Sequence, residues 1–457
     1  MRPDEEILQE LGFVDDPGRS VGRGARASSQ SVRGTADPVP FGCARSGLPK
    51  VPAAIVPASA AVQGDGQVVL IRKFIAIALL VAGLAALLFQ LNSDNIANRD
   101  FISYWAAGRQ LLHGANPYDA AAISTIERSA GFHQSEILVM RNPPYALPLM
   151  VPFGFLPLKA ALVSWLLLLI GCVVVSIHVV RDLYGRPANR LHLIGYCFAP
   201  IVECLFAGQT SILALLGLTL FLRFHTKKPF LAGMALFLCL LKPHLFLPFG
   251  AAILIWIVVR KSYRTLSGAL WALGLSSAIS LCLDPSAWTQ YGHLAKTAGI
   301  EKAAIPTVSV FLRMAIAPNL FWLQFALAAL ATIWAIRYFW RNRQHWDWIM
   351  HGSPLLVISV WVAPYSWFTD EAVLLPAVLG GIYWIAEMKR SLIPFLAIAG
   401  LALFEVLCKV PMAHGYFWTT TAWLAWYLSS IRLEGVAVAG RPDARPLVRP
   451  VAPVEIA

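Results

Sequence analysis

From Lys227 to Lys261 the chain reads KKPFLAGMALFLCLLKPHLFLPFGAAILIWIVVRK, an apolar stretch closed at both ends by basic pairs and interrupted at Lys242-Pro243-His244. As one helix it would run about 45 Å at 1.5 Å per residue, well beyond a hydrocarbon core of about 30 Å. Basic clusters mark the cytoplasmic flanks of membrane segments. With Lys227 and Lys228 at one end and Arg260 and Lys261 at the other, the stretch has to cross an even number of times. Two short helices meeting at Lys242 satisfy both constraints and put the polar tip on the outer side.

The rest of the chain has the same character. Of its 457 residues 58% are hydrophobic and only 14% charged, and the mean hydropathy is +0.63, whereas soluble domains carry roughly 25% charge. The reading is an all-α polytopic membrane protein. The net charge of +12 gathers at short breaks between apolar runs, which is a topology signal rather than a nucleic-acid footprint. The seven cysteines show no short paired spacing, so neither a metal site nor a disulfide framework is expected. No Walker loop or Gly-x-Gly-x-x-Gly turn is present, and no cofactor is expected.

Working outward, residues 1–70 mix charge with Gly, Pro and Ser without a sustained period and read as a disordered cytoplasmic arm. Phe74 to Leu91, preceded by Arg72 and Lys73, is the first span and exits outward. The same even-crossing argument applies between Arg190 and Lys227, where the outer tip is Gly208-Gln209-Thr210-Ser211. It applies again between Trp348 and Lys389, whose tip runs from Ala363 to Glu371. A long span ending near Val180, one at Leu266–Leu283, one returning to Arg341, and those at Leu392–Leu407 and Tyr416–Ile431 bring the count to about 12. The transmembrane domain is then 71–434, and 435–457 a cytoplasmic tail.

This topology places Asp100, Gln209, Lys242, His244 and Asp370 on one side of the membrane, each by a separate argument from basic residues elsewhere. Asp100 opens a periodic run in which Phe101, Trp105, Gly108 and Leu112 share a stripe, with Gly114 and Asn116-Pro117 to end it. That is the pattern of an amphipathic helix at the interface. An acid in that position also reads as an N-cap. Lys242 is a cation in an apolar setting, kept either for a partner or by snorkelling.

The run Asp100-Phe101-Ile102-Ser103-Tyr104-Trp105, then Gly114-Ala115-Asn116-Pro117-Tyr118-Asp119, then Asn142-Pro143-Pro144-Tyr145 resembles glycosyltransferase family 87. Gly208-Gln209, Lys242-Pro243-His244 and Pro364-Tyr365-Ser366-Trp367 follow in the family's order. The resemblance implies a GT-C transferase that moves a sugar, typically mannose, from a polyprenyl phosphate donor to a lipid or glycan acceptor with inversion. It implies Asp100 as the general base. A single displacement needs one base and no carboxylate nucleophile, and a cation stabilises the departing phosphate. Lys242 is the first candidate for that role, with His244 and Arg109 behind it; Gln209 and Asp370 complete the substrate-binding set. Tyr104 and Trp105 are candidates to stack on sugar faces or to anchor the helix. The expected partners are therefore the polyprenyl phosphate sugar, its acceptor and membrane lipids, with no nucleic acid, at the outer face of the cell membrane. A polytopic transporter or lipid-linked sugar flippase is the alternative, although the halves show no clear repeat.

Overall fold

The computed structural model describes residues 100–131, 137–297, 305–410 and 415–439. The arm at 1–70, the span Phe74–Leu91 and the tail beyond 439 lie outside them. Every regular element among the described residues is helical.

The first outer segment carries α1, Phe101–Leu112, and α2, Ala120–Ser129. A Pro-rich 3-10 turn, Pro144–Leu149, and a short helical turn, Val151–Gly154, lead into α3, Leu158–Leu183. The first tip joins α4, Ala199–Ala207, to α5, Ser211–Phe224. The second joins α6, Pro229–Cys239, through the turn Pro243–Phe246 to α7, Leu247–Val259. Then come α8, Tyr263–Leu283; α9, Ala287–Thr297; and α10, Val308–Ile316. A 3-10 turn, Phe321–Phe325, opens α11, Ala326–Asn342, which is followed by α12, Gly352–Trp361. The third tip ends in the 3-10 turn Phe368–Leu374, continued by α13, Leu375–Glu387, α14, Ile393–Leu407, and α15, Thr419–Ala439.

Among the described residues four helical segments are long and apolar enough to cross a membrane: Leu158–Leu183, Tyr263–Leu283, Phe321–His345 and Phe368–Glu387. Shorter apolar helices, among them α5, α6, α12 and α14, accompany them. The 11 residues of α6 rise only about 17 Å. Helix α6 packs between α5 and α8. Gly233 and Gly268 bring the α6 and α8 backbones together, because a Cβ on either would meet the other helix's main chain.

Helix α1 occupies the expected bounds and closes with Gly114 at φ +64°, but it does not lie half-wet at an interface. Residues 101–108 are buried on every face. The reason is a backbone-to-backbone dock: a Cβ on Gly108 would stand 2.5 Å from the Met150 carbonyl oxygen, and one on Gly154 would stand 2.5 Å from Gly108. On the same stripe, at the start of α1, Phe101 stacks on Trp165 of α3 with ring centroids 5.7 Å apart. This dock holds the start of α1 against the tips of the hairpins.

Candidate active site

The capping reading of Asp100 does not hold. The residue stands at the N-cap of α1 with helical backbone angles, φ −59° and ψ −26°, and its side chain makes no cap hydrogen bond. The carboxylate instead accepts, through Oδ2, a short hydrogen bond from the Gln209 amide Nε2. An amide 109 positions away has taken the oxygen that a local cap would have used.

Gln209 is aimed by the turn before it. Gly208 ends α4 in the left-handed region at φ +72°, where an L side chain is strained, and a Cβ there would stand 2.8 Å from Phe101 Cβ. Trp165 Nε1 donates to the Gly208 carbonyl at 2.7 Å, and the Gln209 N–H donates to Cys204 O at 2.9 Å. The Gln209 Oε1 accepts two donors, the Tyr104 hydroxyl at 3.1 Å and Lys242 Nζ at 3.0 Å. Two donors on Oε1 leave the NH₂ group only one sensible direction, toward Asp100.

Lys242 owes its position to a helix stop. Pro243 has no N–H and cannot continue α6, so carbonyls near the stop need other donors. Tyr145 supplies its hydroxyl to Leu240 O at 2.6 Å, and Asn142 its Nδ2 to Leu241 O at 2.9 Å. The Asn142-Pro143-Pro144-Tyr145 motif thus caps the segment that presents Lys242. The Tyr118 hydroxyl, from the earlier motif, in turn donates to Asn142 O at 3.0 Å.

Lys242 Nζ lies 2.5 Å from Asp370 Oδ1, with both side chains buried. The same Oδ1 accepts from the Ser211 hydroxyl at 2.7 Å, and Oδ2 from the Trp367 N–H at 2.9 Å. The result is one continuous network, Asp100–Gln209–Lys242–Asp370, with Tyr104 and Ser211 as side donors. Burial pushes the Asp100 carboxyl above its ordinary range; the Gln209 hydrogen bond and the Lys242 charge pull the other way without cancelling it.

His244, Arg109 and Trp105 make no hydrogen bond to this network among the described residues. His244 lies against Tyr365, ring centroids 4.2 Å apart. Arg109, about 13 Å along α1 from Asp100, places its guanidinium over the Trp105 ring at 5.2 Å. Trp105 is buried and donates Nε1 to Leu156 O at 3.0 Å, which secures α1, whereas Tyr104, also buried, reaches the network through its hydroxyl. Asp119 caps α2 through the Ala121 and Ala122 N–H groups. Sequence reasoning passed over Ser211 and also Glu371, which is buried and accepts from Thr419 Oγ1 at 2.5 Å and Trp423 Nε1 at 2.9 Å. The only sign of Glu371 was a second acid beside Asp370 ahead of an apolar run.

Fold and site together define an all-helical membrane protein in which a loop carboxylate is held by an amide that a buried lysine orients. Residues 141–364 match the model of glycosyltransferase family 87, and the chain carries a domain of that family. It is a glycosyltransferase. The match includes Gln209, Lys242 and His244; Asp100 and Asp370 flank it in sequence and join it through the network above. Searches of curated proteins and of solved structures returned no match.

Proposed function

We propose that this protein transfers a hexose, mannose before others, from a polyprenyl phosphate to a hydroxyl of a lipid or glycan acceptor, with inversion, at the outer face of the cell membrane. Asp100 is the general base. The observation that carries this reading is the hydrogen bond from Gln209 to Asp100 Oδ2, which occupies that oxygen and leaves Oδ1 to take the acceptor proton. The acceptor O–H proton passes to Asp100 as the acceptor oxygen bonds to the anomeric carbon. The bond from that carbon to the donor phosphate oxygen breaks, and polyprenyl phosphate leaves with the electron pair.

Lys242 has two roles in this reading. Two of its three ammonium protons go to Gln209 and Asp370, which holds the amide that orients the base. The third is directed to the departing phosphate as its charge grows. The shortness of α6 supports a site sunk below the membrane surface, where the reactive end of a lipid-linked sugar sits.

In membranes supplied with labelled polyprenyl phosphate mannose, Asp100→Asn is expected to lower transfer by about 10²–10⁴-fold, the usual worth of a general base, while the thermal unfolding midpoint in detergent is kept. Transfer by Asp100→Asn at the wild-type rate would remove Asp100 as the base. A wild-type protein that transfers a different sugar from the same carrier would correct the sugar and keep the mechanism.

A further inference from the structure

Glu371 follows Asp370 in the turn Phe368–Leu374, and the two acids have different neighbours. A 3-10 turn has three residues per revolution, so consecutive side chains point about 120° apart. Asp370 faces the hairpin tips, with Lys242 Nζ at 2.5 Å and the Ser211 hydroxyl at 2.7 Å. Glu371 faces α15, where Thr419 Oγ1 stands 2.5 Å from its Oε1 and Trp423 Nε1 2.9 Å from its Oε2. Thr419 and Trp423 are four apart on that helix, so one face of α15 presents both partners. Glu371 is 2% exposed, and no ion pair among the described residues includes it. An acid buried without a cation is costly, and the reaction proposed above gives it no proton to move.

The turn is held at several points. Cys204 Sγ of α4 donates to Thr369 O at 3.0 Å, and Phe368 stacks on Tyr416 with ring centroids 4.2 Å apart. The two bonds from Glu371 to α15 fix how the turn is rotated about its own axis. That rotation sets where Asp370 Oδ1 meets Lys242, and Lys242 in turn donates to the Gln209 amide that holds Asp100. The tie needs hydrogen bonds and no charge. Thr419 Oγ1 also lies 2.6 Å from Tyr416 O, so its proton can go there while its oxygen accepts from a donor at position 371. An amide at that position can therefore bond Thr419 through its NH₂ group and Trp423 through its oxygen.

We propose that Glu371 is a positioning residue for sugar transfer: bonded to Thr419 and Trp423, it locks the third tip to α15 so that Asp370 holds Lys242 against Gln209. The inference rests on the part given above to Lys242, and Glu371 acts through Asp370 without touching the reacting atoms. The test uses the full-length protein with two readouts. One is the rate at which acetic anhydride modifies Lys242 in nanodiscs, mapped by mass spectrometry with the exposed Lys261 as control; the other is transfer from labelled polyprenyl phosphate mannose in membranes. Glu371→Leu is expected to raise Lys242 labelling and lower transfer, each by about tenfold, the worth of the hydrogen bonds removed, with Lys261 unchanged. Glu371→Gln is expected to keep Lys242 protected and to keep most of the transfer. Thr419→Val and Trp423→Phe each remove one bond and should give smaller changes in the same directions, which decides the matter if Glu371→Leu does not fold. Wild-type protection of Lys242 in Glu371→Leu, or in both single-bond variants, overturns the positioning role and leaves Asp100 as the base. Exposure of Lys242 in Glu371→Gln equal to that in Glu371→Leu overturns it as well, since the charge and not the hydrogen bonds would then matter. Raised labelling with transfer at the wild-type rate overturns it together with the part given to Lys242 in the reaction.

Discussion

Asp100 works against its own burial. A base acts only when ionised, and burial raises the pH at which this carboxylate forms, so sugar transfer is expected to fail on the acid side above the ordinary Asp range near 3.9. Gln209 pulls in the opposite direction by donating to the ionised form. Gln209→Leu should therefore move the acid limb of kcat/KM to still higher pH as well as slow the reaction. Superimposable acid limbs in the two proteins would show that the amide does not tune the base. The sequence made Asp100 visible as an acid at the start of an apolar period, but it could not say where the carboxylate points. Capping is a local choice, and the competing donor belongs to Gln209, which only the fold brings within reach. Arg109 shows the converse: close to Asp100 in sequence, it is carried away by two and a half turns of helix.

At the scale of elements, the short helices are held by side chains that the sequence displays as motifs without revealing what they do. Asn142 and Tyr145 read as part of a family pattern, and their work is to satisfy carbonyls where Pro243 stops α6. Helix α2 has a feature that no pattern announced. Glu127 is buried, its Oε2 accepts from the Leu138 N–H at 3.3 Å, and among the described residues its Oε1 has no partner. Burial lifts this carboxyl from 4.5 to about 7. Between those values the native protein holds a proton that the unfolded chain has lost, so stability is greatest below pH 4.5, falls as pH rises to about 7 and is then level. Glu127→Gln should flatten that slope and be the more stable protein above pH 7. Melting temperatures taken across this range in detergent test it; parallel curves for wild type and variant would mean that Glu127 is not the titrating group.

For the whole molecule, the basic clusters in the sequence were enough to bring three tips and the first loop to one side, because charge asymmetry is a global property that survives without any knowledge of contacts. Pairing between tips is not global in that sense, and neither the Lys242–Asp370 contact nor the help of Ser211 was legible. That contact has a consequence for the entire fold. Removing one member of a buried ion pair leaves the other charge uncompensated, at a cost of about 3–5 kcal/mol, whereas replacing both by apolar residues is often neutral. Asp370→Leu alone is therefore expected to lower the unfolding midpoint sharply. Asp370→Leu combined with Lys242→Met should recover most of the loss, yet transfer no sugar, because Gln209 loses the donor that orients it and the phosphate loses its nearest cation. Sugar transfer by the double variant at the wild-type rate would reduce the pair to a structural tie. Recovery of stability without activity would instead separate the two contributions of Lys242, one to joining the tips and one to the reaction that takes place between them.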